Sequence, residues 1–343
     1  EGMGRPRIPS FDRMKAHFLY TQLIEPAETV LAGKSHVFVV ADGPLASLPL
    51  SVLISQRPSG EDTDPQAMRA TSWLARRFAF TTLPSVESLG VVRTQAAGNG
   101  GDAQRIPFHG FGAPLIGLGA GDPVLASAPA EDFFRGALVD VATVRALPAL
   151  PQTGPELRRL AATLGAPQDS LSLGAAATER AVKETDLSNT AVLAFATHGL
   201  LSGELPGLAE PALVLTPPDI ATPDDDGLLT ASEVAGLKLS TDWVLLSACN
   251  TAGSDGRPGA EGLSGLARAF LYAGARSILV SHWPVRDDAA ARLTADAMAA
   301  LGDGIGRSEA LRRAMLTLME DETDLSLAHP ASWAPFVVVG EGA

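Results

Sequence analysis

WVLLSACNTAGS, residues 243–254, decides how this chain is read. A greasy run long enough for a fully buried strand stops at a cysteine, and small, polar residues that break a strand follow it. Cys249 is the only cysteine in 343 residues. Working outward, AVLAFATHG (191–199) has the same design, with His198 and Gly199 at its end, and RSILVSHW (276–283) repeats it. Between these runs lie segments with helical spacing: ATERAVKET (177–185), GLSGLARAFLYAG (262–274) and two helices over roughly 286–318. WAPFVVVG (333–340) is expected to close the sheet, and PALVLTP (211–217) is an extended segment. Apolar runs alternating with helices predict an α/β fold, a parallel sheet covered on both faces.

The first half is less regular. A helix is expected around 11–31, a strand within HVFVVADGPLASLPL (36–50), a strand and then a helix over 75–92, and a strand within PFHGFGAPLIGL (107–118). A Pro-rich approach leads to a helix starting near Thr153, so the chain is expected to divide into 1–150 and 151–343. VVADGPLAS (39–47) weakly echoes AFATHGLLS (194–202), with Gly43 where the second has His198. In that pairing the first half is a silent copy of the second.

A hydrophobic content of 46% is that of a folded protein. The net charge of −13 argues against nucleic acid as the main partner. No stretch reaches the apolar length of a membrane span, and EGMGRPRIPSFDRMK at the start is no signal peptide. The missing initial Met suggests a piece of something longer, and one free thiol suits a reducing cytoplasm.

In open parallel sheets reactive groups gather at the carboxyl ends of the strands. His198 and Cys249 are both expected there. Together they can act as base and nucleophile, the imidazole accepting the thiol proton and the thiolate attacking a carbonyl. The backbone amides of Gly199 and Cys249 could hold the resulting oxyanion. The bland readings are a core cysteine and a turn histidine. His282 with His198 and Cys249 makes a trio that could bind zinc, though without a spacing motif. Asp224-Asp225-Asp226-Gly227 lacks the full calcium-loop spacing, so a solvated, mobile loop over the site is expected there. No cofactor is called for.

FATHG, LSACNTAGS, GAEGLSGLARAFLYAGARSILVSHWPVRDD and HPASWAPFVVVG together resemble the CHAT family, caspase-like peptidases related to caspases and separases. ADGPLASLPLSVL and LPALPQTGPELRRLAATLGA extend the resemblance from about Leu19 to Gly340. It implies a caspase-like α/β/α sandwich preceded by a silent protease-like half, and a cysteine endopeptidase with His198 and Cys249 as its dyad. It also implies a substrate pocket near Ser247, His282, Trp283 and Asp287. Asp287 there would select a basic residue before the cut; alternatively it caps the following helix. Glu261 supports the catalytic loop or caps a helix. His282 departs from the family, which more often has an apolar residue before the Trp.

The resemblance further implies an upstream repeat or sensor region as partner, and bacterial defence or cell death as setting, with a pore-forming protein among the possible substrates. The competing reading is a silent scaffold or peptide-binding module; retention of both Cys249 and His198 speaks against it. A nucleotide-binding domain is disfavoured because no glycine-rich phosphate loop follows the first strand.

Overall fold

A computed structural model describes residues 10–98, 105–117, 140–247, 265–283, 285–301 and 304–343. The strands are β1 (His36–Val39), β2 (Ala79–Thr82), β3 (Ile106–Gly112), β4 (Leu171–Leu173), β5 (Thr190–Ala196), β6 (Gly199–Leu200), β7 (Ala212–Val214), β8 (Leu228–Thr230), β9 (Trp243–Leu246), β10 (Ser277–Ser281) and β11 (Phe336–Gly340). The helices are α1 (Arg13–Leu23), α2 (Glu28–Leu31), α3 (Pro65–Arg69), α4 (Val86–Gly98), α5 (Val141–Arg145) and α6 (Thr153–Thr163). They continue with α7 (Glu179–Glu184), α8 (Ala231–Ala235), α9 (Gly265–Ala273), α10 (Asp287–Leu301), α11 (Arg307–Met319) and α12 (Pro330–Trp333).

Eight strands form one sheet in the order β1-β2-β11-β10-β9-β5-β3-β4, and β6-β7-β8 form a small second sheet. All pairings of the large sheet are parallel except β10 with β11. The run WAPFVVVG therefore does not close the sheet at an edge. As β11 it lies inside, antiparallel to β10 and parallel to β2. The sheet is also continuous across residue 150, because β3 from before that point lies between β4 and β5 from after it.

The unbroken apolar runs are explained by the two covered faces. Along β5, Val192, Ala194 and Ala196 join the core under α6, α10 and α11, while Leu193 and Phe195 join the core under α7, α8 and α9. Along β9, Trp243 and Leu245 face the first layer and Val244 and Leu246 the second. With period two and apolar partners on both sides, every position of β9 and every position of β5 after Thr190 is apolar. Trp243, Phe195 and Leu246 are fully buried, so a Leu246→Ala or Phe195→Ala change would cost about 2–5 kcal/mol.

Turn chemistry fixes where the site-bearing strands begin and end. Gly274, φ +113°, closes α9 and delivers the chain into β10, and a side chain there would run into the Leu239 carbonyl. Among the described residues, no helix is long and apolar enough to cross a membrane.

Candidate active site

Parallel register brings the carboxyl ends of three strands together. Phe195 of β5 lies opposite Leu246 of β9, and Leu245 of β9 opposite Leu279 of β10. Just past these pairs, His198, Ser247 and Ser281 all line one cleft of about 1180 Å3 between α6 and α10. Its walls carry Glu156 and Arg159 from α6, and Arg286, Asp288, Arg292 and Asp296 from the α10 side.

His198 is fixed from both its backbone and its ring. Its carbonyl accepts from Val214 N at 2.9 Å, and the neighbouring Thr197 hydroxyl donates to the Val214 carbonyl. Gly199 then opens β6, paired with Leu213. The ring Nε2 lies 2.7 Å from the Pro148 carbonyl oxygen. A carbonyl can only accept, so Nε2 carries the proton and Nδ1 is left as the basic nitrogen. The strand end beside it is held in the same way: Ser247 N donates to the Phe195 carbonyl at 2.9 Å, and Ser247 Oγ donates to Glu156 Oε2 at 3.1 Å. Glu156 is 8% exposed, a carboxylate taken almost out of water beside the cleft.

The charges of the α10 wall are mostly tied. Arg286 donates to both carboxylate oxygens of Asp288, at 3.0 and 2.6 Å, and to Asp324 at 3.0 Å. The Arg286 guanidinium holds Asp288 below the usual carboxylate range, and Asp324 is held there first by the Ser326 hydroxyl and then by Arg286. Arg292 pairs with Asp321 at 2.7 Å. Burial pushes Asp296 up instead, because removal from water outweighs the attraction of Arg292.

Not every expected site residue falls in the cleft. Cys249 and Glu261 lie outside the described residues, and so does the side chain of Asp287, which is the first residue of α10. Trp283 packs on the core of the α6 and α10 layer and donates its Nε1 to the Ala331 carbonyl at 3.4 Å. His282 lines a separate apolar cavity of about 40 Å3, with Val39, Leu48, Phe78, Leu311 and Phe336 among its walls. Ser281 takes the cleft side of the β10 end, and one residue later the chain turns His282 away. His198 and His282 are thus not brought together as a zinc pair. Burial without a partner pushes the His282 imidazole down to about 4.

The loop through Asp224–Asp226 is pinned rather than free, and none of residues 218–228 lines the cleft. Glu179, 1% exposed, accepts from Asp226 N at 2.9 Å, Gly227 N at 3.1 Å and Lys183 Nζ at 2.5 Å. Lys183 also donates to the Asp224 carbonyl and to Glu233, both at 2.8 Å. Gly227, φ +90°, turns against Pro217 where no side chain would fit. The turn is solvated at 222–224, as expected, but it is no flap over the cleft, because a carboxylate from α7, 45 and more residues upstream, ties it down.

Residue patterns missed Pro148 and Glu156. The signal for Pro148 is a backbone atom, which a sequence does not display. For Glu156 it was a lone acid in the first turn of α6, indistinguishable from an ordinary helix-dipole partner.

The family model described as the CHAT domain matches residues 13–341, nearly the whole chain. The chain belongs to the CHAT domain family. This CHAT domain is 37% identical to mouse tetratricopeptide repeat protein 28 over 113 residues, 33% of this chain and 4% of that protein. It is 25% identical to the human protein of the same name over 375 residues, 97% of this chain and 13% of that protein. The chain thus spans a small part of the curated relatives it matches. Among solved structures, the Arg-specific cysteine proteinase gingipain R is similar with a TM-score of 0.49 and 11% identity, over 96% of this chain and 66% of that one. The separase in the Saccharomyces cerevisiae separase–securin complex is similar with a TM-score of 0.46 and 13% identity, over 81% of this chain and 15% of that one.

Proposed function

We propose that this CHAT domain is a cysteine endopeptidase that cuts a protein or peptide substrate through Cys249 and His198. The observation that carries the reading is the His198 ring, with its Nε2 proton given to the Pro148 carbonyl and a basic Nδ1 left over, in a cleft that also receives the end of β9. Cys249 follows Ser247 by two residues in the sequence.

In this reading Nδ1 takes the thiol proton and the thiolate attacks the carbonyl carbon of the scissile bond. The backbone amides of Gly199 and Cys249 donate to the oxyanion of the tetrahedral intermediate. The imidazolium then protonates the leaving amine, and an acyl-enzyme remains. Water, deprotonated by the same imidazole, attacks the thioester, releases the new carboxyl terminus and returns the thiol.

Finer parts of the proposal follow. Asp287, at the start of α10, selects a basic residue before the cut, Trp283 stands at the same turn, and Glu261 supports the catalytic loop. Residues 1–150 form the silent half: among the described residues, neither the end of β1 nor the end of β2 carries a thiol or an imidazole. Control by tetratricopeptide repeats is supported by the name of the curated relatives. A cytoplasmic setting, with cleavage of a partner such as a pore-forming protein in bacterial defence, completes the proposal.

The test is a peptide library offered to the parent, Cys249→Ala and His198→Ala. Cleavage by the parent alone, after Lys or Arg, is expected. Cleavage that survives Cys249→Ala sinks the dyad, and cleavage after apolar residues sinks the Asp287 assignment alone.

A further inference from the structure

The two strand ends of the site are held by one short stretch of chain. The Pro148 carbonyl accepts a hydrogen bond from His198 Nε2 at 2.7 Å, and Glu156 Oε2 accepts one from Ser247 Oγ at 3.1 Å. Only eight positions separate the two acceptors in sequence, although the strands they serve, β5 and β9, arrive from residues 190–196 and 243–246.

The stretch between them is stiff. Thr153 donates twice to the Leu150 carbonyl, from N at 3.3 Å and from Oγ1 at 2.8 Å, and Glu156 N donates to the Gln152 carbonyl at 3.0 Å. Pro151 and Pro155 fix two backbone angles. Leu157 and Leu160, 0% and 2% exposed, seat α6 in the core beneath the sheet. A hydroxyl given to a carboxylate that is almost out of water gains from the low local dielectric and ties α6 to the end of β9.

We propose that Glu156 is a positioning residue, and that residues 148–156 form a single brace setting the separation of the base and the nucleophile strand. The brace acts on His198 through the Pro148 carbonyl and on β9 through the Glu156–Ser247 bond. This rests on the Cys249–His198 reading above and deepens it. Glu156 acts through Ser247, keeping the end of β9 at the distance the imidazole requires. Displacement of one partner by about 1 Å is enough to lower a rate on the order of 100-fold. The loss should fall on kcat more than on KM, because the α10 wall of the cleft is untouched.

The experiment uses the full chain and two readouts: the rate of Cys249 alkylation by iodoacetamide across pH, and kcat and KM on a peptide the parent cuts. Glu156→Ala is expected to slow alkylation and kcat by about 10- to 100-fold, and to move the alkylation pH profile toward that of His198→Ala. Ser247→Ala should lose part of the same effect, and Glu156→Ala with Ser247→Ala should be no worse than Glu156→Ala alone. Glu156→Gln, which keeps an acceptor for the hydroxyl, should restore most of the rate. Urea unfolding checks each variant; if Glu156→Ala does not fold, Glu156→Gln and Ser247→Ala carry the test. Unchanged alkylation in Glu156→Ala, multiplicative losses in the double variant, or a change confined to KM would each overturn the proposal. Parent alkylation no faster than in His198→Ala would instead overturn the dyad, and the brace with it.

Discussion

His282 gives a stability test with a worked sign. Its ring is largely buried in an apolar cavity, and among the described residues Nδ1 has no hydrogen-bond partner. Burial alone pushes its pKa from 6.5 down to about 4. As pH falls through 6.5 the unfolded imidazole takes a proton while the folded one does not. The unfolded state then binds more protons, so stability drops with falling pH until the folded ring also titrates near 4. At 1.36 kcal/mol per tenfold the loss is limited to about 3 kcal/mol, of which about 2 kcal/mol is reached by pH 5. Above pH 7 the group contributes nothing to the slope. The perturbation is His282→Leu, which fills the cavity without a titrating nitrogen. Urea midpoints and slopes are measured for parent and variant at pH 7 and pH 5, and the parent-minus-variant difference is compared, so that all other titrating groups cancel. The parent should lose about 2 kcal/mol relative to the variant on acidification. A difference independent of pH, or one that grows in the parent's favour as pH falls, would refute the buried, unpaired ring.

Glu179→Ala removes the acceptor of two backbone amides and one of the two carboxylates around Lys183, so it should cost about 3–5 kcal/mol in urea unfolding; a loss below about 1 kcal/mol would mean the turn does not depend on it. Gly274→Ala puts a side chain at φ +113° against the Leu239 carbonyl and should lower stability by at least about 1–2 kcal/mol, read as a fall in Tm. Thr197→Val deletes the hydroxyl bond to the Val214 carbonyl, costing about 1 kcal/mol, and iodoacetamide labelling of Cys249 should slow because β7 then grips the chain beside His198 only through the Val214 N–H and the β6 pairing.

The covered sheet was legible because burial on both faces leaves a plain signature: β5 and β9 are apolar at every described position after Thr190, one face for α6, α10 and α11 and one for α7, α8 and α9. The place of β11 was not legible. FVVVG is equally apolar whichever strand it joins, so nothing in it encodes an interior, antiparallel position between β2 and β10. The same holds for His282, one residue past Ser281: both follow an apolar run, and only the turn of the backbone sends one to the cleft and the other to a separate cavity. The fate of Asp224–Asp226 depended on Glu179, whose only local hint was a first-turn acid after the capping Thr178.

A candidate pair can be read from a sequence more readily than the means by which its members are aimed. His198 stood out because an imidazole at a strand end is unusual, yet its proton position is set by a carbonyl oxygen, the same atom in every residue type. What makes Pro148 the acceptor is the path of the chain between α5 and α6, fixed by Val144 and Leu147 in the small core beneath β7 and by Leu157 and Leu160 in the large one. That path also delivers Glu156 to Ser247. Two orientations that look independent at the level of residues are therefore one mechanical fact at the level of packing. A substitution that shifts α6 against the sheet, such as Leu160→Ala, should disturb base and nucleophile strand together, whereas one that loosens only β7 should act on His198 alone.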